Sequence, residues 1–187
     1  MSEDGDFAGR RARVARPATA REMPVTPWPG RPGSVGGDMP DTNVWLALAV
    51  QEHPLHEAAR AYWAETQAAR RSAPANETSL WFCRSTMLGF VRLLCQPGVV
   101  GAGALPPSQS LALYQRFRNL PSVGLLSEAA GSEAVLATFV TARNVQPRQW
   151  GDAWLAAQAS SAGMRLVTFD RDFLRFGLER CLVLPAQ

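Results

Sequence analysis

Residues 149–170 read QWGDAWLAAQASSAGMRLVTFD, and they decide the fold. The first part is alanine-rich and apolar without a glycine or proline after Gly151, which predicts a helix over 149–162, ended by Gly163. The second part, Arg165 to Phe169, is a short apolar run of strand length that stops at Asp170. From Asp152 to Gly163 a helix covers about 16 Å at 1.5 Å per residue. From Arg165 to Asp170 a strand covers about 17 Å at roughly 3.3 Å per residue. A tight turn at Gly163 reverses the chain, so the two lengths nearly cancel. Asp152 therefore returns to the level of Asp170.

Working outward, helical spacing and strand-length apolar runs alternate. Further strands are expected at 79–83, 123–126 and 181–184. Helices are expected at 43–50, 53–71, 84–94, 108–120 and 132–143, the last with Ser132 as N-cap, and a loop over 98–107. Strands alternating with helices of this length predict an α/β fold with a mostly parallel central sheet covered on both faces. In such sheets ligands bind beyond the carboxyl ends of the strands. Asp41 precedes a buried helix, where a first strand would end, so parallel strands bring Asp41, Asp152 and Asp170 to one edge. Converging carboxylates repel each other, and a cation is their natural partner. All-oxygen ligands suit Mg²⁺ or Mn²⁺ rather than zinc. Each acid also has a plainer role open to it: Asp41 and Asp170 as helix caps, Asp152 as a first-turn acid favoured by the helix dipole.

Composition narrows the function classes. The chain has 187 residues, 47% of them apolar, enough for one domain with a core. No apolar run approaches the roughly 20 residues a membrane helix needs. Cys83, Cys95 and Cys181 are too few and too scattered for a disulfide framework or a cysteine zinc site, and read as thiols in a reducing compartment. All 19 basic residues are arginine and the net charge is +3, which permits a polyanionic partner without demanding one. Residues 1–38 hold 6 Gly and 5 Pro and lack apolar periodicity, so they read as a disordered extension ahead of a domain at 39–187. The cluster Arg10, Arg11, Arg13 and Arg16 in it could touch RNA, but composition favours a solvated tail or a start placed too far ahead of Met39.

Five segments, in order, then resemble the PIN domain and, more closely, the VapC-type ribonuclease toxins of bacterial toxin–antitoxin pairs. They are DTNVWLAL at 41–48, HPLHEAA at 53–59, CRSTMLGFVRLL at 83–94, GDAWLAA at 151–157 and LVTFDRDF at 166–173. The resemblance implies a three-layer α/β/α PIN-like fold and Mg²⁺-dependent endonucleolysis of RNA, with Mn²⁺ as a substitute. It implies that Asp41, Asp152 and Asp170 hold the metal. Asn43 and Thr168 would support them by hydrogen bonds, and Asp172 would contribute through water. It also implies a cytoplasmic homodimer held inactive by a small antitoxin protein. Arg84 or Arg92 would guide the phosphate backbone unless they are ordinary surface arginines.

Two departures from the family pattern stand out. Gly89 occupies the position where the family usually has a second acid on the helix after strand two, which should weaken a second metal. The usual apolar first strand is replaced by GGDMP at 36–40, a poor central strand that is either very short or supplied from upstream. Both favour, as the alternative, a catalytically weakened PIN-like protein that binds RNA or a partner. A phosphoryl transferase using Asp41 as nucleophile is disfavoured by Asn43, where such enzymes want a second Asp. His53 and His56 lack a third metal ligand and suit helix-start chemistry. Trp45, Trp63, Trp81, Trp150 and Trp154 are expected in the core. GVVGAG at 98–103 lacks the Lys-Ser/Thr of a phosphate loop.

Overall fold

The turn at Gly163 forms as its sequence requires: the glycine takes φ +64°, and Met164 N–H returns to the Ala159 carbonyl at 2.9 Å. It joins a helix at Trp150–Ser161 to a strand at Arg165–Thr168. In this computed structural model residues 37–71 and 79–185 are described. The expected extension at 1–38, with its arginine cluster, lies outside them apart from Gly37 and Asp38.

The sheet has five parallel strands in the order β3-β2-β1-β4-β5. They are β1 Asp38–Pro40, β2 Leu80–Phe82, β3 Val123–Leu125, β4 Arg165–Thr168 and β5 Cys181–Val183. The helices are α1 Thr42–Ala49, α2 His56–Arg71, α3 Arg84–Leu93, α4 Pro97–Val100, α5 Pro107–Arg118, α6 Ser132–Arg143 and α7 Trp150–Ser161. Side chains alternate across the sheet as strand geometry demands. Met39 and Leu166 face Ala153, Ala156 and Phe139 of α6 and α7. Leu80, Phe82 and Val167 face Trp45, Phe90 and Tyr114 of α1, α3 and α5. The result is a three-layer α/β/α fold with a core on each side of the sheet. Trp45 is fully buried and stacks on Phe82 with centroids 3.8 Å apart.

The first strand is present and very short. Asp38 pairs with Leu80 of β2, while Asp38, Met39 and Pro40 pair with Arg165, Leu166 and Val167 of β4. Asp38 N–H bonds the Ser79 carbonyl at 2.7 Å, and Asp41 N–H bonds the Val167 carbonyl at 2.9 Å. Donors therefore alternate between neighbours, and the donor that Pro40 lacks would have faced β2, at the strand's end. Glycine at 37 is a packing requirement: a Cβ there would stand 2.8 Å from Trp81 Nε1. What the strand lacks in length is supplied by Asp38, which belongs to the domain and is 7% exposed. Its carboxylate takes a two-point bond from Arg165, Nε to Oδ1 at 2.7 Å and Nη2 to Oδ2 at 2.6 Å, and a third from the Tyr62 hydroxyl at 2.7 Å. That clasp ties β1, β4 and α2 at the amino edge of the sheet.

Three local expectations are corrected. The segment expected as a loop at 98–107 carries α4 and a 3₁₀ turn at Gly101–Gly103, because Pro97 opens a helical turn instead of ending one. Ser132 is the first residue of α6, after a left-handed Gly131, and its hydroxyl donates to the Ala129 carbonyl at 2.8 Å instead of capping. Trp150 is exposed, at 48%, and is no core anchor.

Candidate functional site

Asp41 leaves the carboxyl end of β1 and becomes the N-cap of α1, its Oδ1 accepting from Val44 N–H at 2.9 Å. Its Oδ2 accepts from the Thr168 hydroxyl at 2.5 Å. Asp170 follows β4 and caps the 3₁₀ helix at Arg171–Phe176, its Oδ1 accepting from Asp172 N–H at 2.8 Å. The Asp170 N–H in turn donates to Thr168 Oγ1 at 2.9 Å. Both acids are therefore caps, and their capping bonds fix the carboxylates at the carboxyl edge of the sheet.

Electrostatics joins the third acid to these two. Burial pushes the Asp41 carboxyl up to about 6; bonds from Thr168 and from the backbone of Val44 and Asn43 oppose the rise, and the charge of Asp152 adds to it. The Asp152 carboxyl is raised by burial first, then by Asp170 and Asp172. The Cys181 thiol is raised by burial and by Asp41. Asp41 is 4% exposed, Asp152 half-buried, and Asp170 and Asp172 open to solvent. Arg165 pairs with Asp38 at the other edge of the sheet, and among the described residues no arginine forms an ion pair with Asp41, Asp152, Asp170 or Asp172.

Among the described residues no three His, Cys, Asp or Glu side chains stand close enough to encircle a metal ion by themselves. The donor set still suits a hard divalent cation, since Mg²⁺ keeps several waters and uses one or two carboxylates. The accumulated, unpaired negative charge is what such an ion would relieve.

The remaining sequence candidates separate. Thr168 is fully buried and bonds Asp41. Asn43 reaches Asp41 through its backbone, with its side chain exposed. Arg84 opens α3 just past β2, at the acid edge, whereas Arg92 lies about 12 Å further along the helix axis at 1.5 Å per residue. His53 Nδ1 accepts from Leu55 N–H at 3.1 Å and His56 Nδ1 donates to the Ala47 carbonyl at 2.7 Å, which is helix-start chemistry. Gly89 lies against α1: a Cβ would stand 2.9 Å from Thr42 Oγ1 and 3.1 Å from its Cγ2. Sequence reasoning misses the Asp38–Arg165–Tyr62 clasp. By composition Asp38 falls in the extension, and no local pattern couples it to an arginine on β4.

Comparison with known proteins identifies the fold and the family. The PIN domain family model matches residues 39–178. Ribonuclease VapC41 of Mycobacterium tuberculosis, from strains CDC 1551 and H37Rv alike, is 38% identical over 141 residues, 73% of this chain and 91% of the relative. The fold is similar to that of VapBC2 from Rickettsia felis, solved bound to a DNA fragment from its promoter (TM-score 0.58, 12% identity, 79% of this chain and 98% of that one). It is also similar to Mycobacterium tuberculosis VapC20, a sarcin–ricin loop cleaving toxin (TM-score 0.54, 18% identity, 80% of this chain and 100% of that one). With the acid edge, the three-layer fold and these matches together, the chain belongs to the PIN domain family, in its VapC type.

Proposed function

We propose that the chain is a Mg²⁺-dependent endoribonuclease and the toxin half of a VapBC-type pair, a cytoplasmic protein, homodimeric and restrained by a small antitoxin. The observation that carries this reading is the set of acids at the carboxyl edge of β1 and β4. There Asp152 raises the Asp41 pKa, Asp170 and Asp172 raise that of Asp152, and among the described residues no arginine forms an ion pair with them. Support comes from the relative named as a ribonuclease and from the VapBC assemblies that share the fold.

In this reading Asp41, Asp152 and Asp170 hold the cation, with Asp172 acting through a water. A bound divalent cation would lower the pKa of a water ligand and offset charge developing on the phosphate. Thr168 fixes the rotamer of Asp41 and the start of the Asp170 turn, so both carboxylates are oriented before any ligand arrives. The capping bonds from Val44 and Asp172 N–H aim them further. Arg84, which opens α3 just past β2, would guide a phosphate of the bound strand unless it is an ordinary surface arginine. No side-chain nucleophile is required.

Gly89 favours a second reading, a PIN-like protein that binds RNA without cutting it, because its contact with Thr42 leaves no room for the further acid. Incubation of a mixed RNA pool with Mg²⁺, Mn²⁺ or EDTA separates the two. Metal-dependent cutting that is lost in Asp152→Asn supports the nuclease. RNA binding without cutting under every condition supports the second reading.

A further inference from the structure

Asp41, Asp152, Asp170 and Asp172 interact at the carboxyl edge, and one divalent cation offsets only two of their charges. That edge does not draw in an RNA strand by itself, so affinity for the strand needs cations elsewhere on the surface. Two arginines meet at one turn away from it. Arg143 ends α6, and Arg175 lies in the 3₁₀ helix Arg171–Phe176. Arg175 Nη2 donates to the Arg143 carbonyl at 3.0 Å. The Arg143 side chain lies over Gly177, where a Cβ would stand 3.0 Å from its Nη2. The turn is fixed from beneath: Phe173 and Phe176 are buried, and Phe176 packs on Phe139 of α6 with centroids 5.3 Å apart. Arg143 is exposed and Arg175 half-exposed. Among the described residues neither forms an ion pair, with nearby Glu179 or any other acid, and the Arg143 guanidinium makes no hydrogen bond.

The dipole at the carboxyl end of α6 favours a cation and accounts for one arginine. A second adds like-charge repulsion, which a shared anion relieves. Two guanidinium forks match phosphate oxygens. Gly177 shares a cleft of about 200 Å³ with Gly163, which precedes β4, so this turn lies towards the amino end of that strand. Asp170 follows its carboxyl end, and four strand residues separate the two levels by about 13 Å. Resting on the ribonuclease reading above, we propose that Arg143 and Arg175 form an exosite for a backbone phosphate of the RNA strand, several nucleotides from the bond to be cut.

The test uses the full chain, Arg143→Ala, Arg143→Lys, Arg143→Ala with Arg175→Ala, and Arg60→Ala on the exposed side of α2 as a control for net charge. Arg143→Ala keeps the carbonyl that Arg175 bonds, so its melting temperature should not change. Binding of a labelled pool of unstructured 20-nucleotide RNAs is measured in EDTA. Arg143→Ala should bind about fivefold more weakly, as for one exposed charge pair. Its slope of log K against log salt should be shallower by about 0.7, as for one phosphate contact on a single strand, and loss of Arg175 as well should double that change. Arg143→Lys should recover part of the loss, and Arg60→Ala should match the wild type. On an RNA that is cut, the KM of Arg143→Ala should exceed that of the wild type about fivefold, with equal kcat. That ratio should fall to one when the RNA is shortened to four nucleotides around the cut, a dependence that a merely structural role would not show. Equal binding and salt slope in Arg143→Ala, an equal loss in Arg60→Ala, or a KM ratio independent of RNA length overturns the exosite. Escape of Arg143→Ala from an inhibitory partner with RNA binding intact also overturns it and assigns the pair to a protein contact. If the wild type cuts nothing, the ribonuclease reading fails separately. The exosite is then judged by the binding measurements alone, and equal or no binding overturns it.

Discussion

The Thr168 hydroxyl donates to Asp41 Oδ2 and accepts the Asp170 N–H, so one buried side chain sets the two acids against each other across β1 and β4. A valine has the same shape and neither bond. Thr168→Val leaves a buried carboxylate oxygen and a backbone N–H unpaired, at a cost of about 1–3 kcal/mol. It also removes a bond that lowers the Asp41 pKa. Urea unfolding should show a loss in that range, and RNA cleavage should fall more than tenfold. Thr168→Ser should restore most of both.

Asp41 makes stability depend on pH in an unusual direction. Its folded pKa of about 6 lies above its ordinary 3.8, so the folded state binds the proton more tightly. Its contribution is complete below about 3.8 and is lost as pH rises through about 6, a change of roughly 3 kcal/mol by pH 7. His53, whose pKa is lowered by burial and by His56, acts in the opposite sense. Comparison with Asp41→Asn isolates the first effect. In EDTA the wild type should lose stability relative to Asp41→Asn between pH 4.5 and 7.5, and Mg²⁺ should reverse most of that loss. A difference that is flat with pH would show that Asp41 ionises as an ordinary carboxylate.

The amino edge of the sheet is held by Asp38, Arg165 and Tyr62. Arg165→Met leaves Asp38 buried beside the Tyr62 hydroxyl without its cation. Loss of a fully buried partner costs about 3–5 kcal/mol, and the 42% exposure of the Arg165 side chain reduces this to about 2 kcal/mol. Chemical denaturation measures it directly. Because β1 has few ladder bonds of its own, hydrogen exchange at Asp41 and Met39 N–H should accelerate in this variant more than exchange within α7.

Gly89 is constrained by Thr42. A Cβ at position 89 would lie within 3.1 Å of both branches of the threonine, Oγ1 and Cγ2, so rotation of Thr42 gives no relief. Overpacking of this kind costs about 1–3 kcal/mol, of which helix propensity returns up to about 1 kcal/mol. Gly89→Ala should therefore destabilise by about 1 kcal/mol, and Thr42→Ala in the same chain should cancel that loss. Installing a carboxylate with Gly89→Glu should be tolerated only together with Thr42→Ala.

Much of this is legible in the sequence because it is local. The helix–turn–strand from Trp150 to Thr168 follows from alanine-rich spacing, a left-handed glycine and a short apolar run, and those signals place Asp152 and Asp170 at one edge by length alone. That Asp41 ends β1 at the same edge needs only the rule for parallel strands. What stays hidden depends on partners distant in the chain. Asp38 is a strand residue because Arg165 and Tyr62 receive its carboxylate, while its own neighbours include glycines and a proline. Trp150 sits in an apolar-looking helix, yet its side chain is left in solvent at the first turn, and periodicity cannot show where a helix leaves the core. The helical turn at Pro97 is hidden because proline marks helix starts and ends alike.

The most direct measurement is anomalous scattering from crystals of the protein soaked in Mn²⁺. A peak about 2 Å from carboxylate oxygens of Asp41, Asp152 or Asp170, absent in Asp152→Asn, is the expected result. A manganese peak elsewhere on the molecule, or none at this edge while the same preparation cuts RNA, would contradict the assignment of these acids as the metal-holding group.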